Sequence, residues 1–313
     1  MKLLVNPTSY ANAIDLIASG VHQISVGTHE TSVRNSCNLS LKEIQKLVEN
    51  KKNTEVLILV NKLFFEPEIA NLEKFIINVS KLKIDGLIFA DYAIPQIVDE
   101  QNIKNIKLIY NPETLVTSHG QFDFYLENNI TEVSLAREII GREVDEIIKN
   151  KGQMKIQLPV AGYSYMMLSR WDLLTNFKAS HKINDELTNK KLYLKEKSRK
   201  HEFIVYEDHN GTHMFTGYSL NLLDKLQGLY DNGLDVIRID TFLHDDKWTS
   251  LQARIYMEAI SKLENKTYTN EFITNSNQAL RDLLDEYQSH GFYTALKEDL
   301  IYLDNYTSEA NND

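Results

Sequence analysis

Cysteine is almost missing from this chain, with Cys37 the only one in 313 residues. No intramolecular disulfide, paired-cysteine zinc site or four-thiolate iron–sulfur cluster can be built from it alone. Long apolar runs are missing too, and none approaches the roughly 20 residues of a membrane span. The first residues, MKLLVNPTSY, carry one short apolar patch before Asn6 and Pro7, too short for a signal-peptide core. A cytoplasmic location with no membrane attachment is the expectation. Positive charge is in deficit, at −10 net. That argues against broad, charge-driven nucleic-acid binding but leaves room for a local basic face.

Several motifs are also missing. No Gly-x-Gly-x-x-Gly follows the first strand candidate, no G-x-S-x-G elbow occurs, and no H-E-x-x-H is present. His209 and His213 are four apart, but Asn210-Gly211 between them favours a turn over the helix that a metal pair needs. No metal site is expected. Cys37 reads as a small buried residue.

What is present is ordinary globular material, 42% hydrophobic and 25% charged, in a length that can bury one large core. Strand patterns cover Lys2–Val5, Gln23–Val26, Glu55–Asn61, Gly86–Asp91, Lys107–Asn111, Glu132–Ala136, Lys155–Val160 and Asp235–Asp240. Helix-period segments lie between them, including Tyr10–Ser19, Ser40–Asn50, Ile69–Leu82, Phe122–Asn128 and Gly141–Asn150. Ser40 with Glu43 makes a capping box. Short strands alternating with helices predict a parallel sheet, and some eight units favour an α/β (β/α)8 TIM-like barrel, distorted or regular, with a short C-terminal extension. The barrel is expected over residues 1–265, with a basic, exposed insertion at 178–201. Phe203–Phe215 reads as two strands joined by a turn. Residues 266–313 form the extension, whose last residues, Thr307–Asp313, are expected to be disordered.

In such a barrel, function sits on the loops after the strand C-termini. Arg34, Arg137 and Arg170 each follow a predicted strand. Converging there, they would suit a small carboxylate or phosphate, because a guanidinium binds such anions bidentately. Alternatively each pairs with a nearby acid such as Glu30, Glu138 or Asp172. The insertion offers Lys190, Lys191, Lys195, Lys197, Arg199 and Lys200 for a phosphate backbone, and Tyr163 and Trp171 beside it could stack on bases. Solvated charge is the plainer reading of that run.

The stretch Gln157–Thr175, QLPVAGYSYMMLSRWDLLT, resembles the U32 family, historically named for collagenase-like peptidases. The family pattern there is E-x-F-x2-G-[SA]-[LIVM]-C-x4-G-x-C-x-[LIVM]-S. Gly162 and Leu174 match it, and Thr175 stands for the serine. Gln157 replaces the glutamate, Arg170 the second glycine, and Tyr165 and Asp172 the two cysteines. Gly20–Gly27, Asp85–Asp91, Leu135–Glu138, Gly211–Leu223, Arg238–Asp240 and Gly291–Tyr293 resemble further family segments.

The resemblance implies a hydroxylation factor acting on tRNA wobble uridine, ribosomal RNA or a quinone ring, with prephenate as the hydroxyl source and a four-cysteine iron–sulfur cluster. Some members work as pairs of homologous chains, and this sequence is most similar to a cysteine-poor member of a tRNA uridine 5-hydroxylation pair. It implies no cofactor in this chain, a cluster in a cysteine-bearing partner subunit, contact with tRNA, a co-catalytic or non-catalytic role, and prephenate or a similar carboxylate as small-molecule ligand. A peptidase, as the family name suggests, and a small-anion sensor are the alternatives.

Overall fold

In a computed structural model, which describes residues 1–197, 202–284 and 286–295, the predicted alternation closes on itself. The strands are β1 (Lys2–Val5), β2 (Gln23–Gly27), β3 (Glu55–Val60), β4 (Gly86–Phe89), β5 (Lys107–Tyr110), β6 (Ile130–Ser134), β7 (Lys155–Ser169), β8 (Leu192–Leu194), β9 (Phe203–Asp208), β10 (Gly211–Asn221), β11 (Val236–Ile239) and β12 (Gln288–Ser289). β1 to β7 pair in sequence order, all parallel, and β11 lies between β1 and β7. Among the described residues this makes a closed ring of eight parallel strands, the TIM-barrel architecture that the pattern predicts.

The strands read as nearly continuous apolar runs because both faces are covered. Leu4, Leu57, Leu59, Ile88, Ile109 and Val236 point inward and fill the barrel. Their neighbours on the same strands, among them Leu3, Val5, Val56, Ile58 and Phe89, point out into the layer shared with the helices. Those helices are α1 (Tyr10–Ala18), α2 (Leu41–Glu49), α3 (Ile69–Ser80), α4 (Ala93–Glu100), α5 (Phe122–Glu127), α6 (Gly141–Lys149), α7 (Leu173–His181), α8 (Leu226–Asp231), α9 (Asp246–Glu264) and α10 (Asn270–Leu283). The Ser40–Glu43 capping box opens α2 as expected. Cys37 is buried in the outer layer, and burial pushes its thiol up to about 12.

β7 departs from expectation in its length. It runs 15 residues rather than ending at Val160. Its first half is a barrel stave paired with β6 and β11. Its second half leaves the ring and pairs antiparallel with β10, which pairs with β9, and β9 with β8. The result is a ribbon projecting over the C-terminal mouth of the barrel. Tyr163, Ile204 and Phe215 form its core, with Tyr165, Tyr206, Phe242 and Leu243 against them. The basic insertion therefore includes an edge strand, β8, of that ribbon. The hairpin expected over Phe203–Phe215 is present as β9 and β10.

The C-terminal extension is more integrated than its weak pattern predicts. α10 packs on α9 and buries Ser276 and Leu280, and β12 pairs with β10 through Ser219 and Leu220. A stripe this thin leaves little periodic signal. The expected disordered tail, Thr307–Asp313, lies outside the described residues.

Candidate functional site

Five segments converge at the C-terminal mouth. Arg34 comes from the loop after β2, Glu113 from the loop after β5, Arg137 from the loop after β6, and Arg238 and Asp240 from the end of β11. Tyr165 reaches in from the ribbon. The Arg34 guanidinium lies 2.6 Å from the Glu113 carboxylate and 3.9 Å above the centre of the Tyr165 ring. Arg137 is 3.6 Å from both Glu113 and Asp240 and donates to the Tyr165 carbonyl at 3.1 Å. Arg238 forks onto Asp240 at 2.8 and 3.2 Å and donates to Ser134 Oγ at 2.9 Å. The three arginine side chains are each more than nine-tenths buried. Burial by itself would push the Glu113 carboxyl up, but Arg34, Arg137 and Arg238 hold it below the usual carboxylate range. Three guanidinium groups against two carboxylates leave the cluster one charge positive.

Two of the three arginines singled out in the sequence therefore meet, and the third does not. Arg170 stacks 3.8 Å over the Phe65 ring on the exposed rim. Arg238 fills the third place. The acids expected beside Arg34 and Arg137 are not their partners either; Glu113 and Asp240 are, because loops from distant strands close on the barrel axis while chain neighbours diverge. One signal pointed that way: Arg238 and Asp240 are two apart on a strand, hence on one face. Glu113 had none beyond its place after a strand.

His213 is fully buried behind Arg34, with Nδ1 3.5 Å from the guanidinium and Nε2 3.2 Å from Asp208. Arg34 carries only donors, so the imidazole proton belongs on Nε2, facing the carboxylate. His209, on the turn as expected, faces the His29 carbonyl at 3.4 Å. Among the described residues no group of three His, Cys, Asp or Glu is placed to share a metal ion.

A second network lies beside the first. His244 is stacked between Tyr163 and Trp248, with ring centroids at 4.4 and 3.6 Å. Glu286, from the extension, accepts from His244 Nε2 (3.1 Å), Tyr163 Oη (2.8 Å) and Trp248 Nε1 (3.2 Å). Burial pushes the His244 pKa down, which Glu286 only partly offsets. Lys191 donates to Tyr163 Oη at 2.6 Å.

This corrects the expectation for Tyr163. Its ring is buried at 7% exposure and spent on His244, so it offers no face to a base. Lys191 is likewise tied down. Trp171 stands 73% exposed, Tyr193 58%, and Lys190, Lys195 and Lys197 are exposed. Lys195 has Glu202 3.8 Å away. Arg199 and Lys200 lie outside the described residues.

The two degenerate cysteine positions do not share a site. Tyr165 is clamped in the mouth, whereas Asp172 sits exposed at the start of α7, seven residues along. Together with one buried thiol, this donor set does not fit a cluster held by four thiolates. The matching positions have structural tasks instead. Gly162 has φ +102, and a β-carbon there would fall 1.8 Å from the Asp240 carbonyl oxygen. Thr175 Oγ1 and the backbone N–H groups of Leu174 and Thr175 donate to Glu207 at 2.5 to 3.0 Å, so a carboxylate from β9 caps α7. Gln157 donates to Glu132 at 2.5 Å inside the barrel; a glutamate there would set two buried carboxylates against each other.

Fold and site together define a (β/α)8 barrel protein whose mouth is roofed by its own antiparallel ribbon over an arginine–carboxylate cluster. Its sequence matches the family model described as Peptidase family U32 over residues 8–301, and the chain belongs to that family. It is 28% identical over 265 residues to tRNA hydroxylation protein P2 of Bacillus subtilis (strain 168), covering 83% of this chain and 85% of that protein. Among solved structures it is similar to the U32 peptidase Mk0906, with 12% identity, 76% of this chain and 91% of that one covered, and a TM-score of 0.43. A glycerophosphodiester phosphodiesterase from Parabacteroides distasonis aligns at 9% identity over 81% of this chain and 96% of that one, with a TM-score of 0.46. Among the described residues no helix is long and apolar enough to cross a membrane.

Proposed function

We propose that this chain is a cluster-less U32 subunit of a complex that makes 5-hydroxyuridine in tRNA, paired with a cysteine-bearing homologue that holds the iron–sulfur cluster and takes prephenate or a similar carboxylate. The observation that carries the reading is the fate of the cysteine positions in a chain similar to a tRNA hydroxylation protein. Tyr165 is locked under Arg34, and Asp172 sits exposed at the start of α7. A subunit of this kind contributes RNA contact and complex stability in the cytoplasm while redox chemistry proceeds in its partner.

The exposed part of the ribbon supports this role. Trp171, just past β7, and Tyr193, on β8, are exposed, as are Lys190, Lys195 and Lys197 in the insertion; aromatic faces and cations are the residue types that bind unpaired bases and phosphates. The test is co-purification of the full chain with cysteine-bearing U32 homologues from its own cell, combined with mass-spectrometric measurement of hydroxyuridine in tRNA after its deletion. The expected result is a stable pair and loss of the modification. A chain that binds no homologue and whose deletion leaves hydroxyuridine unchanged sinks the reading.

A further inference from the structure

Two of the cavities at the mouth are separated by a partition. The inner one, about 40 Å³, has room for only a few waters. The outer groove, about 510 Å³, opens on the rim between Leu63, Phe65, Leu115 and Leu168. Arg34, Glu113 and Tyr165 line both, so the ion pair and the ring beneath it form the wall between them.

That wall is unusual in two ways. Arg34 and Glu113, the two halves of the ion pair, both have left-handed backbones, with φ of 52° and 67°, and Leu115 follows at 70°. Such conformations in residues other than glycine persist only where their surroundings impose them, and they concentrate at ligand clamps and switches. The inner cavity is also lined by buried polar atoms that have no hydrogen-bond partner: Asn6 Oδ1, Ser25 Oγ, Asn35 Oδ1, Arg34 Nε and Arg137 Nε. Unpaired buried donors on two guanidinium groups are costly unless something else satisfies them.

We propose that Glu113 is a built-in occupant of a carboxylate site. A monocarboxylate with an apolar body enters by displacing the Glu113 side chain from Arg34 and Arg137. The exchange replaces one carboxylate by another, so the charge of the cluster is unchanged and no guanidinium is left without a counterion. The inner cavity is too small to receive a ligand while Glu113 is in place, and movement of the left-handed loop around Glu113 and Leu115 joins it to the outer groove. The apolar body then rests on Leu63 and Leu115, both exposed along the groove. This inference concerns the chain alone and does not rest on its pairing with a homologue or on RNA.

The probe is phenylacetate, with phenylacetamide as its neutral counterpart, titrated calorimetrically into the full chain. Glu113→Gln removes the competing charge while keeping the shape, and should bind phenylacetate at least ten times more tightly than the wild type, with no gain for the amide. Glu113→Asp retains the charge that the buried arginines need for folding and draws it back by one methylene. It should gain severalfold, which keeps the test open should the glutamine variant fail to fold. Equal phenylacetate affinity in the wild type and a folded variant, or a gain shared by phenylacetamide, overturns the proposal.

Discussion

Tyr163 and His244 lie face to face, 4.4 Å between ring centroids and 9° from parallel, and both donate to one carboxylate, Glu286. That carboxylate belongs to the C-terminal extension, the imidazole to the loop after the last barrel strand, and the phenol to the strand that roofs the mouth. The extension is thereby fastened to the barrel mouth.

Removing the shared acceptor should loosen all three attachments. Glu286→Ala leaves the Tyr163, His244 and Trp248 donors buried without a partner, at an expected cost of about 2–4 kcal/mol in folding stability. Glu286→Gln keeps one acceptor oxygen and should lose less. Urea unfolding of both variants measures the difference.

Acid should destabilise the protein from neutral pH downward. His244 is held neutral by burial, with its pKa below 6.5, so the unfolded chain takes up its proton first as pH falls. The stability that the neutral imidazole contributes is complete above pH 6.5 and is lost as pH drops toward and through the folded value. His22 acts in the same direction, again through burial. Glu113 and Glu286, both lowered, extend the loss below pH 4.5. Urea midpoints between pH 8 and 5 should fall, and His244→Gln should flatten part of that slope.

Gly162→Ala should be among the most damaging single changes in the chain. The new methyl would meet the Asp240 carbonyl, at a backbone φ of +102 that L side chains rarely adopt, for a loss of more than about 3 kcal/mol. Thermal melts check this, and Gly152→Ala, with open space around it, provides the control for left-handed strain alone.

The cap on α7 should depend on a residue that lies far away in sequence. Glu207→Ala is expected to cost about 2 kcal/mol and to fray the helix, read as protease sensitivity around Leu173–His181. Thr175→Ser preserves the hydroxyl donor and should stay within about 0.5 kcal/mol of the wild type.

If tRNA lies along the ribbon, Trp171→Ala and Tyr193→Ala should each weaken binding by about 1–3 kcal/mol per stacked base while leaving stability unchanged. Replacing Lys190, Lys195 and Lys197 with glutamine should lower the salt dependence of binding by roughly 0.7 to 0.9 per lost phosphate contact. Filter binding across a salt series tests both.

Much of the architecture was legible because it is local. Strands such as β3 and β4 are buried on both faces and read as unbroken apolar runs, and helices such as α1 and α2 carry their own periodicity and serine N-caps. The length of β7 was not legible, since Gly162 and the polar Ser164 break the run just where the strand leaves the barrel for β10. Nor was α10, whose apolar stripe is thin.

The order of residues by itself determined a barrel, a basic insertion after its seventh strand, and a chain with too few thiols for a cluster, since each depends on composition or on neighbours within a few residues. Only the tertiary structure decided which charges meet. Arg34 finds Glu113 79 positions away, Tyr163 finds Glu286 123 positions away, and Arg170 is carried out to the rim. Ring closure brings the ends of distant strands together, and no local pattern records which side chains it leaves facing one another.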